Sequence, residues 1–282
     1  MGPKNIPIRL GKIGYLNVLP IYHPLETGVV QGHFEIVSGP PAELNRRMNA
    51  GELDISAASS IEYARHAEDY LLVPDLAIGS CGPVQSVLLL SQVPAPALSG
   101  QTILVSSQTH TSAALLKVLL AENLRVDAAF VTGDATSLLE QGNRPAAILA
   151  IGDEALELRH HPDYPHALDL GEAWRQWTGL PFIFGLWLIR KDSWTANPER
   201  IENACRALLA AKRWGVQHLS GMCTLAAESS RLDAVEMCSY FDGLVYDLGE
   251  AEQQGLQRFF DHLEAAGLIG KAPELRFLAL EK

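Results

Sequence analysis

Short apolar runs alternate with amphipathic stretches along most of the chain. Aliphatic runs predict strands at residues 8–14, 53–58, 71–78, 86–90, 102–105, 130–131, 146–151 and 182–189. Apolar residues at helical spacing predict helices at residues 41–50, 61–66, 112–122, 137–140, 197–218 and 250–266. Strands and helices that alternate in this way are typical of an α/β fold.

Residues 92–100 are predicted to cross between two parts of the molecule. Pro94 and Pro96 stiffen this segment, which lacks helical or strand periodicity. A second series of strands and helices follows it, and the run at 182–189 could return the chain to the first part. We therefore expect a discontinuous first lobe (1–92 and 190–282), a second lobe (93–189) and a ligand cleft between them. A single doubly wound sheet is the alternative.

The loop after the first predicted strand contains Asn17 within the sequence GYLNVLP. Ligands of open α/β sheets bind outside the carboxyl ends of the strands, and this loop lies at such an end. An uncharged amide there can orient a polar ligand. The alternative is an asparagine that only forms a turn.

Residues 106–112 (SSQTHTS) follow a strand and open a helix. Free backbone N–H groups at a helix start bind anions, with help from hydroxyl side chains. Ser107, Thr109, His110 and Thr111 are therefore candidate ligands of a carboxylate or phosphate. Simple helix capping is the alternative, and no phosphate-binding G-x-x-x-x-G-K-[ST] motif is present.

Two further strand–helix junctions carry candidate binding residues. Gly152 permits a close approach of the backbone, and Asp153 either caps a helix or contacts a ligand. Ser59 or Ser60 has the same two interpretations. Ser86 is interpreted as a hydrogen-bonding residue rather than a nucleophile, because no base motif accompanies it; an ordinary strand serine is the alternative. Five aromatic residues could line the cleft or pack in the core: Trp174, Trp177, Phe182, Phe184 and Trp187.

Composition narrows the class of function. The net charge of −11 over 282 residues disfavours nucleic acid and anionic membranes as partners. No apolar run approaches the roughly 18 residues of a membrane span, and the N-terminal residues lack an apolar signal core. The four cysteines (Cys81, Cys205, Cys223 and Cys238) form no C-x-x-C pair, which argues against zinc and against a disulfide framework. A reducing cytoplasm is therefore expected.

Five segments together resemble the chorismate dehydratases of the futalosine route to menaquinone. They occur in the same order over nearly the whole chain: GYLNVLP, DISAASSIEYA, GPVQSVLL, SSQTHTSAALL and IGDEAL. The resemblance implies a periplasmic-binding-protein-like (type II) fold used as a cytoplasmic lyase. The implied reaction removes water from chorismate and gives 3-[(1-carboxyvinyl)oxy]benzoate.

The resemblance also implies roles for individual residues. Asn17 and Ser86 would be catalytic, since they match the positions placed around the reacting ring. The other candidates would bind the substrate and its carboxylates: Ser59, Ser107, Thr109, His110, Thr111, Gly152 and Asp153. No metal or cofactor is expected, and the substrate's own enolpyruvyl carboxylate is one candidate base. The alternatives are the related enzyme that forms 1,4-dihydroxy-6-naphthoate and a non-catalytic binding protein for small anions.

Overall fold

The protein consists of two β-sheets with helices packed around them. The computed structural model describes residues 6–107 and 109–280. Gln108, which belongs to the predicted anion-binding segment, therefore lies outside the described residues. The strands are β1 Ile8–Ile13, β2 Phe34–Gly39, β3 Ile55–Ser59, β4 Tyr70–Ser80, β5 Val87–Ser91, β6 Thr102–Val105, β7 Ala129–Thr132, β8 Ala147–Ile151, β9 His166–Asp169, β10 Phe182–Arg190 and β11 Leu244–Val245.

The helices in the described part of the chain connect these strands and cover the sheets. They are α1 Leu19–Glu26, α2 Pro41–Asn49, α3 Ser60–His66, α4 His110–Val118, α5 Ala135–Glu140, α6 Gly152–Leu158, α7 Leu170–Thr178, α8 Lys191–Ala196, α9 Pro198–Gln217, α10 Leu219–Ala227, α11 Ala234–Asp242 and α12 Glu250–Ala265. A π-helical segment, Leu119–Leu124, continues α4. None of the described helices is long and apolar enough to cross a membrane.

The larger sheet has six strands in the order β11-β4-β10-β3-β1-β2. Strand β1 runs parallel to β2 and β3, whereas β10 runs antiparallel to β3 and β4. Gly185 of β10 therefore lies opposite Ser59, the last residue of β3. The carboxyl ends of β1 and β3 and the first half of β10 thus share one edge of the sheet.

The smaller sheet has five strands in the order β7-β6-β8-β5-β9. Strand β6 is parallel to β7 and β8, and β5 is antiparallel to β8 and β9. Alternate residues of β5 face opposite sides, as the strand period requires. Leu89 joins the large core cluster that also contains residues of the six-stranded sheet, whereas Leu88 and Leu90 pack in a smaller outer cluster.

The chain passes between the sheets earlier than the predicted crossing at residues 92–100. Strand β5 already belongs to the five-stranded sheet, so the first crossing lies between Ser80 and Val87. Strand β10 is wholly in the six-stranded sheet, so the return lies between Thr178 and Phe182 rather than near residue 190. Pro94 and Pro96 mark a surface turn after β5 rather than a crossing between the sheets. The position of the crossing depends on which strands pair, and a turn sequence does not reveal that pairing.

The start of α9 shows the capping chemistry typical of a helix N-terminus. The side chain of Asn197 accepts a hydrogen bond from the backbone N–H of Arg200 at 3.2 Å, and Pro198 occupies the first turn of α9.

Gly215 of α9 lies directly against the Pro20 carbonyl of α1, where an added Cβ would come within 1.9 Å of the oxygen. This contact fixes α1, the helix that follows the Asn17 loop.

The prediction that the cysteines form no disulfide is wrong for one pair. Cys223 of α10 and Cys238 of α11 are joined by a disulfide, with their Cα atoms 5.1 Å apart. The fifteen-residue separation gives no motif, and only the packing of α10 on α11 brings the two thiols together. Cys81 is an exposed free thiol and Cys205 is a buried one.

We expect thiol titration to separate these four cysteines. Without reductant, the native protein should present one reactive thiol, Cys81, and the denatured protein two, since Cys205 is buried. Reduction before denaturation should raise the count to four by opening Cys223–Cys238. Four reactive thiols in denatured protein that was never reduced would show that the disulfide does not form.

Candidate active site between the two sheets

A cleft lies where the strand ends of the two sheets face each other. Its volume is about 690 Å³ including the open mouth, which is in the range of small-molecule sites. Its lining comes from both sheets: Ile13, Tyr15, Asn17, Pro41, Ala58, Ser59, Ile78, Val84, Ser86, Val87, Thr109, His110, Thr111, Ser112, Ile151, Gly152, Phe184 and Gly185.

The cleft gathers most of the residues that the sequence nominated. Seven of the nine predicted site residues line it: Asn17, Ser59, Ser86, Thr109, His110, Thr111 and Gly152. Ser107 and Asp153 are absent from this lining. These seven residues come together because each lies next to a strand end that borders the cleft.

Asn17 and Ser86 are linked through a residue that sequence reasoning missed. The hydroxyl of Tyr240, on α11, donates to Ser86 Oγ at 3.2 Å and lies near enough to the Asn17 side chain to interact with it. Asn17 Oδ1 is buried without a hydrogen-bond partner among the described residues. A neighbouring hydroxyl, that of Tyr246, donates to the Asn17 backbone oxygen at 3.0 Å.

The backbone of Ser86 is held by Gly152. Strand β5 pairs with β8 so that Val87 lies opposite Ile151. The backbone N–H of Gly152 donates to the backbone carbonyl oxygen of Ser86 at 2.7 Å. The Gly152 N–H, which was predicted to help bind a substrate carboxylate, therefore already has a hydrogen-bond partner. Gly152 has φ +56°, and an added Cβ would come within 2.8 Å of the Tyr15 ring. Glycine is therefore required both for the turn and for the approach of Tyr15.

The two threonine hydroxyls are already engaged within the protein. Thr111 is 4 % exposed, and its Oγ1 accepts from the Ile61 N–H at 3.1 Å and lies 3.3 Å from Ser60 Oγ. Thr109 Oγ1 donates to the Ser106 carbonyl at 2.6 Å. Thr111 thus joins the start of α4 to the start of α3, across the cleft.

Of the two adjacent serines at the end of β3, Ser59 faces the cleft. Its Oγ is buried without a hydrogen-bond partner in the described part of the chain. Ser60 instead points to Thr111. A buried hydroxyl without a partner is costly, so Ser59 is available to a bound polar group.

Ser107 and Asp153 do not line the cleft, whereas His110 does. The ring Nε2–H of His110 donates to the Ser107 carbonyl at 3.1 Å, which fixes the imidazole at the mouth. Asp153 does not cap its own helix, since its carboxylate accepts from the Leu16 N–H at 3.5 Å. Burial raises the pKa of Asp153. A desolvated carboxylate next to an anion is unfavourable, so Asp153 is better suited to tying the Asn17 loop to α6 than to contacting an acid.

The aromatic residues divide between the cleft and the core. Phe184 lines the cleft, whereas Trp174, Phe182 and Trp187 are buried in the core. Tyr15 and Tyr240, which complete the site, carry no sequence signal. Tyr240 is more than 150 residues from Ser86, and only the packing of α11 brings them together.

The described lining of the cleft consists of neutral polar and apolar groups together with the imidazole of His110. None of its lining residues in the described part of the chain is Lys, Arg, Asp or Glu. Helix α4 starts in the cleft, and Thr109 offers no side-chain acceptor to its first turn. The first-turn N–H groups of α4 and its dipole therefore contribute positive potential to the cleft.

The fold defines the class of protein. The structure superimposes on a Candida albicans protein described as exhibiting the generic periplasmic binding protein structural fold, with a TM-score of 0.72 and 13% identity, covering 98% of each chain. The predicted two-lobed α/β fold is thereby confirmed. At this level of identity the match establishes the fold alone.

The sequence comparisons give the family. Residues 8–265 match the family model described as menaquinone biosynthesis. The chain is 32% identical to chorismate dehydratase of Thermus thermophilus, covering 93% of this chain and 96% of that protein. It is 26% identical to 1,4-dihydroxy-6-naphthoate synthase of the same organism, covering 96% and 99%. The chain therefore belongs to the menaquinone biosynthesis family of chorismate dehydratases.

We expect Thr111→Val to destabilise the protein rather than simply weaken a ligand contact. The change removes the acceptor of the buried Ile61 N–H, and an unsatisfied buried group costs about 1–3 kcal/mol. Urea unfolding should show that loss, whereas Thr224→Val, at an exposed hydroxyl on α10, should change stability little. Unchanged stability together with weaker ligand binding would instead assign the Thr111 hydroxyl to the ligand.

Proposed function

We propose that this protein is a chorismate dehydratase, a hydro-lyase that converts chorismate to 3-[(1-carboxyvinyl)oxy]benzoate and water. One observation carries the proposal. Asn17 supplies a buried free acceptor and Ser86 a hydroxyl group, and both line the same uncharged cleft. Membership in the family supports the choice of substrate.

The reaction breaks two bonds on adjacent ring carbons. The C3–H bond breaks, its proton passes to a base, and its electron pair becomes the new ring double bond. The C4–O bond breaks, and the departing hydroxide gains a proton to become water. Aromatisation of the ring supplies the driving force, and no oxidant or reductant enters this balance.

Asn17 and Ser86 suit the departing hydroxyl because their polarities are complementary. Since Ser86 Oγ accepts from Tyr240, the Ser86 proton is free to be donated to the C4 oxygen. Asn17 Oδ1 can accept the hydrogen of the same substrate hydroxyl. Two preorganised neutral groups can thus hold the C4 hydroxyl and stabilise charge as the C–O bond breaks.

The proton from C3 is assigned to the substrate itself. Among the lining residues that the structure describes, His110 is the only imidazole and none is a carboxylate. The ring of His110 is held at Ser107, at the mouth. The enolpyruvyl group of chorismate is attached at C3, and its carboxylate can act as the base that removes the C3 proton. The protein then contributes orientation and exclusion of water.

The substrate carboxylates are assigned to the start of α4 and to Ser59. Backbone N–H groups at a helix start bind anions without adding net charge, and Ser59 Oγ lies buried and unpartnered among the described residues. This arrangement would let a protein of net charge −11 bind a dianion. The Thr109 and Thr111 hydroxyls are occupied, and the Thr109 N–H already donates to the Ser106 carbonyl at 3.3 Å. We therefore assign this role to the first-turn N–H groups of α4, including that of Thr111.

Setting and partners follow from the same proposal. Chorismate is the proposed partner, and no metal, organic cofactor, nucleic acid or membrane is required for the chemistry described. We propose that the enzyme works in the cytoplasm, since its relatives are named as biosynthetic enzymes. The Cys223–Cys238 pair is unusual for that setting.

Incubation of the purified protein with chorismate tests the proposal. We expect an aromatic product whose mass is lower than that of chorismate by one water, formed at the same rate with EDTA present. No such product would contradict the proposal. Turnover of a futalosine-derived substrate instead would indicate the naphthoate-forming enzyme, and tight binding of chorismate without conversion would indicate a binding protein.

Substitutions at the reacting centre should lower kcat with little effect on folding. We expect Ser86→Ala and Asn17→Leu each to reduce kcat by roughly 10²–10³-fold, the usual loss for a preorganised polar group. Ser91→Ala is the matched control, since Ser91 is a buried serine at the other end of β5 that bonds to the Val93 carbonyl. Near-normal steady-state turnover by both site variants would refute the assignment. A covalent Ser86 adduct seen by intact mass would refute the mechanism.

A further inference from the structure

Tyr240 is a buried polar side chain that donates to Ser86 and lies next to Asn17, the two proposed catalytic residues. It is 1 % exposed, and its hydroxyl donates to Ser86 Oγ at 3.2 Å. It is not among the residues lining the cleft. Its contacts are therefore with the catalytic side chains rather than with the substrate.

The hydrogen bonds have one consistent direction. Asn17 Oδ1 has no partner among the described residues, so it remains available as an acceptor. The Tyr240 hydroxyl then donates its single proton to Ser86 Oγ. Because Ser86 Oγ accepts this bond, its own hydrogen points away from Tyr240. Ser86 lines the cleft, so that hydrogen can be donated to a bound group.

Tyr240 stays a neutral donor throughout the working pH range. Burial is the largest influence on this phenol, and it raises the pKa of Tyr240 above its usual range. A buried tyrosinate would have no cation to stabilise it, so net loss of the Tyr240 proton is unfavourable. Tyr240 can orient a hydroxyl, but it is poorly suited to be the acid that protonates the leaving group.

Helix α11 holds Tyr240 in place from several directions. Asp233 and Glu236 form a capping box at the start of the helix, and Glu236 accepts from Arg159, beside α6, at 2.6 Å. Cys238 joins the helix to α10. The side chain of Gln85, next to Ser86, donates to the Ser239 carbonyl at 2.9 Å. These contacts tie the helix to the very segment that Tyr240 orients.

We propose that Tyr240 is a positioning residue that fixes the direction of the Ser86 hydroxyl, so that Ser86 donates into the cleft to the departing C4 oxygen. The inference rests on the proposed dehydratase function and deepens it. Without the Tyr240 donor, the Ser86 proton could turn toward the phenyl ring or toward Asn17. The productive orientation would then be only one of several.

A double-mutant cycle with Ser86→Ala tests this role. We expect Tyr240→Phe to lower kcat for chorismate about tenfold, the effect of one misdirected hydrogen bond, with KM changed less than about twofold. In the Ser86→Ala background the same change should have no further effect, because residues that act through each other are not additive. Replacing Tyr240 by 4-aminophenylalanine, which restores a donor, should recover part of the loss.

Tyr70→Phe is the matched control. Tyr70 is as buried as Tyr240 and loses one hydroxyl bond, to Asn49, but it does not line the cleft. Its kcat should stay at the wild-type value, and melting curves of the two variants should be similar.

Each other outcome has a definite meaning. Wild-type kcat in Tyr240→Phe, or an equal loss in the Ser86→Ala background, would overturn the inference and leave the dehydratase proposal standing. If the wild-type protein makes no aromatic product from chorismate, the proposed function and the inference fail together.

Discussion

The hydrogen bonds that cross from one sheet to the other hold the geometry of the whole site. Ile61 donates to Thr111, Leu16 to Asp153, and Tyr240 to Ser86. Each bond joins an element of the six-stranded sheet to a strand end or helix start of the five-stranded sheet. The two sheets meet at strand ends, where loops would otherwise move independently. These bonds make a single rigid cleft from segments that are distant in the chain.

The cleft works with dipoles rather than charges. An acidic protein that binds a dianion with Lys or Arg would have to desolvate those cations, at a high cost. Backbone N–H groups, hydroxyls and an amide are already oriented by the fold and lose little when water leaves. The same property suits a dehydration whose product is aromatic, because the protein has only to hold the substrate in its reactive geometry.

The fold by itself is compatible with binding or with catalysis. The same two-sheet architecture occurs in a protein described by the generic periplasmic binding protein fold, so function must be argued from the site. Here the distinguishing features are a buried acceptor on Asn17, a hydroxyl on Ser86 and a tyrosine that donates to that hydroxyl. A passive binding site gains nothing from such a directed arrangement next to one hydroxyl of its ligand.

The sequence by itself determined the local structure and most of the candidate residues. Apolar periodicity and capping residues such as Asn197 gave the main strands and helices, and the strand-end loops gave Asn17, Ser59 and Ser86. Tertiary structure alone decided which strands pair, and so moved the crossing to the segment before Val87. It also decided which polar groups are already bonded, as at Gly152 and Thr111. Tyr240 and the Cys223–Cys238 pair depend on helix packing. Local patterns encode burial and turn chemistry, whereas contacts between distant segments depend on how the elements pack.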